Sequence, residues 1–157
     1  MGPSRTNELV VDQEYLGVLL PLIKRANKNI RICTYAWRLY QNEPSRQIQR
    51  VIFEINRAIR RGVQVQVISD KYQILRELEQ LGAKTRFIGT NVTMHAKAVS
   101  RDADEMIIGS HNLTASGTEK NRELSIYTKD LETIMQYNMY FDTIWGSLYD
   151  SYATNKR

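Results

Sequence analysis

The stretch 94–123, MHAKAVSRDADEMIIGSHNLTASGTEKNRE, contains both histidines of the 157-residue chain, His95 and His111. If MHAKAVS is extended, His95 and Lys97 share one face while Ala96 and Ala98 point the other way. A cation beside an imidazole disfavours the protonated ring, so the pair favours a neutral nitrogen nucleophile. Gly109 and Ser110 follow at a strand-to-loop turn, where backbone N–H groups and a hydroxyl can meet an anion. Asn112 adds an amide donor. Lys97, Ser110 and Asn112 together form a positively biased cradle, which a phosphoryl group needs as charge develops in its transition state.

The surrounding pattern supplies elements to hold these groups. Near-helical spacing over 13–29 predicts a helix, with Pro21 marking a kink or an irregular first turn. NIRICTYAW (29–37) reads as a strand. Residues 43–62 have Pro44 near the start, an apolar stripe of Ile48, Val51, Ile52, Ile55 and Ile59, and Gly62 as a stop. Alternation makes 63–69 a strand. A helix over 71–81 stops at Gly82, and 83–89 is a short strand. Strands are then expected at 94–100, 105–109 and 122–128, with a closing helix over about 130–150. Helices and strands alternate early and strands cluster late. The expectation is one α/β domain over 1–157, a mixed β-sheet flanked by helices on both faces.

Composition narrows the class. With 42% hydrophobic and 25% charged residues the chain is globular, and one core is expected. Cys33 is the only cysteine, which rules out an intrachain disulfide and suits a reducing compartment; it is expected to pack as a small apolar residue. The run LGVLLPLI at 16–23 is far shorter than the roughly 20 residues of a membrane span. The polar, acidic opening MGPSRTNELVVDQE lacks signal-peptide organisation, so a cytoplasmic location and no stable membrane association are expected. Residues 1–61 carry eleven Lys and Arg against five Asp and Glu, a net of +6, while 62–157 carry eleven against twelve. This asymmetry favours an anionic partner, nucleic acid before acidic lipid, although a solvated basic helix face gives the same count.

His95, Lys97, Asp102, Gly109, Ser110 and Asn112 stand as HxK, four residues, D, six residues, GSxN. That spacing resembles the HKD signature of the phospholipase D superfamily. AIRRGVQVQVISD (58–70) and NRELSIYT (121–128) resemble its flanking segments, so the likeness covers roughly 14–145. It implies His95 as the nucleophile that forms a phosphohistidine intermediate, with Lys97 and Asn112 binding phosphate oxygens and Ser110 assisting. It implies that Glu123 holds the histidine by its other ring nitrogen. Asp102 and Gly109 are supporting residues, and Asp102 looks more structural than chemical.

Most relatives carry two HxK copies and this chain carries one, which resembles the single-motif nuclease branch of the superfamily. That likeness implies a C2 homodimer in which two His95 residues share one site. His111 is the rival acid within one chain; the plainer reading of it is an exposed or cap-like histidine. Tyr35, Trp37 and Tyr40 either stack on unpaired bases or, as is commoner, fill a core or interface. DADE (102–105) reads as a solvated turn before it reads as a cation site. No cofactor and no metal are expected. The expected function is a metal-independent endonuclease acting on DNA or RNA. Alternatives are a phospholipase acting on a lipid headgroup diester and a catalytically silent nucleic-acid-binding protein.

Overall fold

The computed structural model of the chain describes residues 5–37 and 45–148. Seven strands form one sheet: β1 Asn7–Val11, β2 Asn29–Cys33, β3 Gln64–Ser69, β4 Lys84–Phe87, β5 Ala98–Arg101, β6 Glu105–Gly109 and β7 Leu124–Thr128. Their spatial order is β1-β7-β6-β5-β2-β3-β4. The β2/β3 and β3/β4 pairs are parallel, and the other four are antiparallel. Four helices accompany them: α1 Tyr15–Arg25, α2 Arg46–Arg60, α3 Tyr72–Leu81 and α4 Leu131–Ser147.

Strand alternation sorts the apolar residues into two layers. Ile30 and Ile32 of β2, Val65 and Val67 of β3, Val99 of β5 and Ile107 of β6 pack with α1, α2 and α3. Their neighbours Cys33, Ile68, Ala98 and Met106 face α4, which contributes Ile134, Tyr137 and Phe141. The mixed sheet with helices on both faces is as expected. The single core is not: the sheet divides the buried residues into two clusters. Cys33 packs in the second with 1% exposure, and burial pushes its thiol up to about 11.

Local signals fix the helix ends. The Ser45 hydroxyl accepts the Ile48 N–H at 3.3 Å and caps α2. Gly62 and Gly82 take φ of +92° and +104°, which lets the chain turn out of α2 and α3. α1 runs through Pro21, whose missing N–H leaves the Gly17 carbonyl without its helical donor. Expected features at Tyr40, at Pro44 and beyond residue 148 lie outside the described residues.

Three expectations need correction. β1 falls within the polar opening of the sequence, yet it pairs with β7 from Asn7↔Thr128 to Val11↔Leu124. The strand expected over 94–100 begins only at Ala98, opposite Cys33, the last residue of β2, and Ile108, one residue short of the end of β6. Residues 94–97 therefore project past the sheet, tied back by the Gly109 N–H to the Lys97 carbonyl at 3.2 Å. An unexpected π-helical turn, Ser116–Lys120, follows the GSxN segment.

Candidate active site

His95 and Lys97 stand on the segment that leaves the sheet ahead of β5. Met94 and Ala98 are buried at either side, which turns the exposed His95 and half-buried Lys97 outward. The two still share a face, as expected, although no strand pairing holds them. Tyr35, just past the end of β2, marks that face: its ring lies 4.9 Å from the His95 ring and 5.3 Å from Lys97 Nζ. Lys97 also donates to the His95 carbonyl at 2.8 Å, which fixes the ammonium beside the imidazole. Burial lowers the Lys97 pKa, and the negative charge of Glu123 opposes that shift. The His95 ring nitrogens form no hydrogen bond among the described residues, so the imidazole is free to meet a ligand.

Glu123 is held from three sides. Ser110 Oγ donates to one carboxylate oxygen, and Asn121 Nδ2 donates to the other at 3.2 Å. Its backbone N–H reaches the Asp12 carboxylate at 2.8 Å, and its carbonyl accepts the Asp12 N–H at 2.9 Å. The Glu123 N–H, followed by Arg122, lowers the Asp12 pKa. Two expectations change here. The Ser110 hydroxyl proton goes to Glu123 and its oxygen accepts the Leu124 N–H at 3.0 Å, so Ser110 positions the carboxylate and has no donor left for a phosphate oxygen. No hydrogen bond joins Glu123 to His95 among the described residues.

The Asn112 carboxamide forms no hydrogen bond among the described residues, and its Oδ1 is buried. An amide with spare donors fits the phosphate-binding role expected of it. Its backbone is clamped by Gly117, where a Cβ would lie 2.4 Å from the Asn112 carbonyl oxygen. Gly109 is equally constrained, since a Cβ there would lie 2.4 Å from the Leu124 carbonyl.

His111 is neither exposed nor a cap. It is 2% exposed, stacks on Tyr15 at 4.4 Å, and places Nδ1 2.7 Å from Ser125 Oγ and Nε2 2.7 Å from the Asp12 carbonyl. A carbonyl only accepts, so Nε2 donates and Nδ1 accepts the serine proton. Both nitrogens are thus committed, and His111 has none to offer a leaving group.

These groups converge on one end of the sheet in the order the HKD spacing demands. The family described as "Cardiolipin synthase, PLD-like domain" matches residues 19–145. The chain belongs to the phospholipase D-like superfamily. It is 27% identical over 133 residues to the mitochondrial cardiolipin hydrolase of Xenopus tropicalis, covering 81% of this chain and 59% of that relative's length. NucT from Helicobacter pylori has a similar fold, with a TM-score of 0.75, 21% identity, and coverage of 92% of this chain and 98% of its own. So does Nuc from Salmonella typhimurium, a phospholipase D family member: TM-score 0.73, 18% identity, coverage 92% and 97%. Phosphodiester chemistry is common to the superfamily.

The aspartate of this phospholipase D signature lies at the opposite end of β5 from His95. Asp102 sits beyond the far end of β5 with φ +50°, and its carboxylate accepts the N–H groups of Asn27, Lys28 and Asn29 at 3.1, 2.8 and 3.0 Å. Burial works against its charge, but these donors outweigh burial and lower the pKa. It closes the α1–β2 turn. Replacing Asp102 with alanine is expected to cost about 2–3 kcal/mol through three freed N–H groups, with turnover per folded molecule unchanged; denaturant unfolding beside initial rates checks both.

Lys71, which no motif singles out, stands at the site beside Tyr35. Lys71 places Nζ 4.8 Å from the Tyr35 ring centre and 3.2 Å from Asp70. Of the aromatic group expected to stack on bases or fill a core, Tyr35 faces His95 while Trp37 is 2% exposed in the core. The helix N-terminus following β3 was the available signal for Lys71. In DADE, Glu105 is buried among Arg25, Arg101 and Tyr127, so that run is more than a solvated turn. Among the described residues no group of three or more His, Cys, Asp and Glu could hold a metal ion.

Proposed function

We propose that this chain is a metal-independent phosphodiesterase that cleaves DNA or RNA through a phosphohistidine on His95, in one domain that acts as a homodimer. The observation that carries the reading is the exposed, unbonded His95 imidazole fixed beside Lys97 while the other histidine is buried with both nitrogens engaged. His95 attacks phosphorus as the P–O bond to the leaving group breaks. Lys97 and the Asn112 amide bind the nonbridging oxygens. The leaving oxygen takes a proton from a second imidazole, which then removes one from the water that cleaves the P–N bond. Glu123 orients an imidazole. In this reading the second imidazole is His95 of another copy.

A surface beside the site fits that second copy. Leu9, Val11, Ile108, Leu124 and Ile126 of β1, β6 and β7 are exposed on the α4 side of the sheet, where α4 does not cover them. On the same side α4 exposes Leu131, Met135 and Met139, one turn apart. An apolar strip of this kind is the usual mark of an association surface, and at Leu124 it adjoins Glu123. Ile126→Arg is expected to convert dimer to monomer and reduce cleavage about a hundredfold or more, since the acid is lost. Light scattering with rate measurement checks this; a fully active monomer contradicts the shared site.

Nucleic acid is favoured by the basic N-terminal half and by the likeness to the single-motif branch. The name of the Xenopus relative favours a second reading, hydrolysis of a phospholipid diester by the same residues. No helix among the described residues is long and apolar enough to cross a membrane. The deciding experiment incubates purified protein in excess EDTA with plasmid DNA, single-stranded DNA, RNA and cardiolipin vesicles. Cleavage of nucleic acid supports the proposal, hydrolysis of cardiolipin alone installs the lipid reading, and nucleic-acid binding without turnover of either supports a silent binding protein.

A further inference from the structure

The outer face of α2 has a composition that folding does not require. Arg46, Arg50, Phe53, Arg57 and Arg60 are all exposed, at successive spacings of four, three, four and three residues, which places them in one stripe. The only carboxylate on the helix, Glu54, is 6% exposed and lies 3.9 Å from Lys24 and 3.7 Å from Arg57. The outward face therefore carries four guanidinium groups and no acid.

Three other arginines show what structural work looks like in this fold. Arg61 donates to the Ile23, Lys24 and Ala26 carbonyls at the end of α1, Arg25 grips Glu105, and Arg31 pairs with Asp142. Arg46 and Arg60 have no ion pair among the described residues, and Arg50 donates only to the neutral Gln47 at 3.2 Å. Helix stability does not account for the whole arrangement: Arg57 and Arg60 suit the last turn, but Arg46 occupies the first turn, where the dipole favours acids, and Arg46 and Arg50 are like charges four residues apart. Phe53, 60% exposed at the middle of the stripe, buries nothing for the core, and Arg57 lies over its ring at 5.7 Å.

We propose that this face of α2 is an accessory binding site for the phosphate backbone of nucleic acid, outside the catalytic cluster. The inference rests on the nuclease reading above. The stripe is about 21 Å long at 1.5 Å per residue, a length over which duplex DNA presents on the order of a dozen charges. Guanidinium groups bind phosphate oxygens through paired N–H donors, which suits a linear polyanion. An anionic membrane fits less well, because one phenylalanine is the whole apolar content of the face. Since β2 and β3 are parallel and α2 connects them, the helix begins at the sheet end that carries His95 and runs back from it. Polymer held at the catalytic cluster can continue onto the stripe.

The test compares wild type with Arg46→Gln/Arg50→Gln/Arg60→Gln, which leaves the Arg57–Glu54 pair intact, and with Lys84→Gln/Lys120→Gln/Lys129→Gln, which removes the same charge from exposed positions elsewhere. The arginine variant is expected to raise KM for long DNA at least about tenfold and to lower the slope of log binding constant against log salt by about three. Its turnover of bis(p-nitrophenyl) phosphate should match wild type, and the lysine variant should bind DNA as wild type does. Equal losses in both variants, no loss in either, or loss of binding to anionic phospholipid vesicles with DNA binding intact would each overturn the accessory site. Failure of wild type to cleave both polymer and small diester would count against the nuclease reading alone, because the binding slopes still report on the stripe.

Discussion

Alanine in place of His95 is expected to lower phosphodiester cleavage by about four orders of magnitude or more, with folding and assembly unchanged. Removing an attacking nucleophile has effects of that size, because electrostatic stabilisation alone remains. No substitute is at hand, since both nitrogens of His111 are bonded within the fold. His111→Ala should produce the opposite pattern. It frees the Asp12 carbonyl and the Ser125 hydroxyl, at a cost of about 2–3 kcal/mol, while turnover per folded molecule stays within about tenfold of wild type. Rates in EDTA beside melting curves separate the two variants. A His95→Ala protein that still cuts, or a folded His111→Ala protein that does not, removes the basis for the mechanism.

The second large effect concerns stability. Glu105 is 2% exposed and accepts two bonds from Arg25, at 3.0 and 2.6 Å, with further bonds from Arg101 and Tyr127. Burial raises its pKa, but Arg25, Tyr127 and Arg101 prevail and lower it from the ordinary 4.5 to about 2. Arg101 keeps its pairs with Asp102 and Asp104 and Arg25 is half-exposed, so Glu105→Gln loses the charge-assisted bonds at a buried oxygen site and is expected to cost about 2–3 kcal/mol, a large part of a typical domain's 5–15 kcal/mol. The pH dependence follows from the sign of the shift. The unfolded chain takes up the proton first, so the contribution is complete above about pH 4.5 and is lost as pH falls toward 2. Urea midpoints across that range should fall less steeply for Glu105→Gln than for wild type; parallel curves would assign acid unfolding to other carboxylates.

Legibility in the sequence followed the range of the interactions involved. α2 was readable because its apolar stripe and the stop at Gly62 are all local, and β6 because EMIIG is a short apolar run between turn residues. β1 was not, since Leu9-Val10-Val11 has no polar alternation and its partner β7 lies more than a hundred residues away. The HxK pair was identified by residue type and spacing, but its backbone was misjudged: strand propensity extends back to Met94, and pairing partners do not. Likewise, spacing could nominate Ser110, and the family resemblance Glu123, but neither could show that each engages the other. Tyr35 and Lys71 belong to chain segments that come near His95 only through the sheet order.

That order also sets a timetable for assembly. Residues 98–128 form an antiparallel meander, β5–β6–β7, whose contacts are short in sequence and close quickly. His95, Lys97, Ser110, Asn112 and Glu123 all lie on it or on the segment leading into it. The bonds from Asp12 that fix the Glu123 backbone join residues 111 apart, and docking β1 onto β7 must first overcome the entropy of closing that span. A nascent or partly unfolded chain can therefore possess every reactive side chain before it possesses their final spacing. Catalytic competence should be the last property to return on refolding, lagging behind recovery of the sheet.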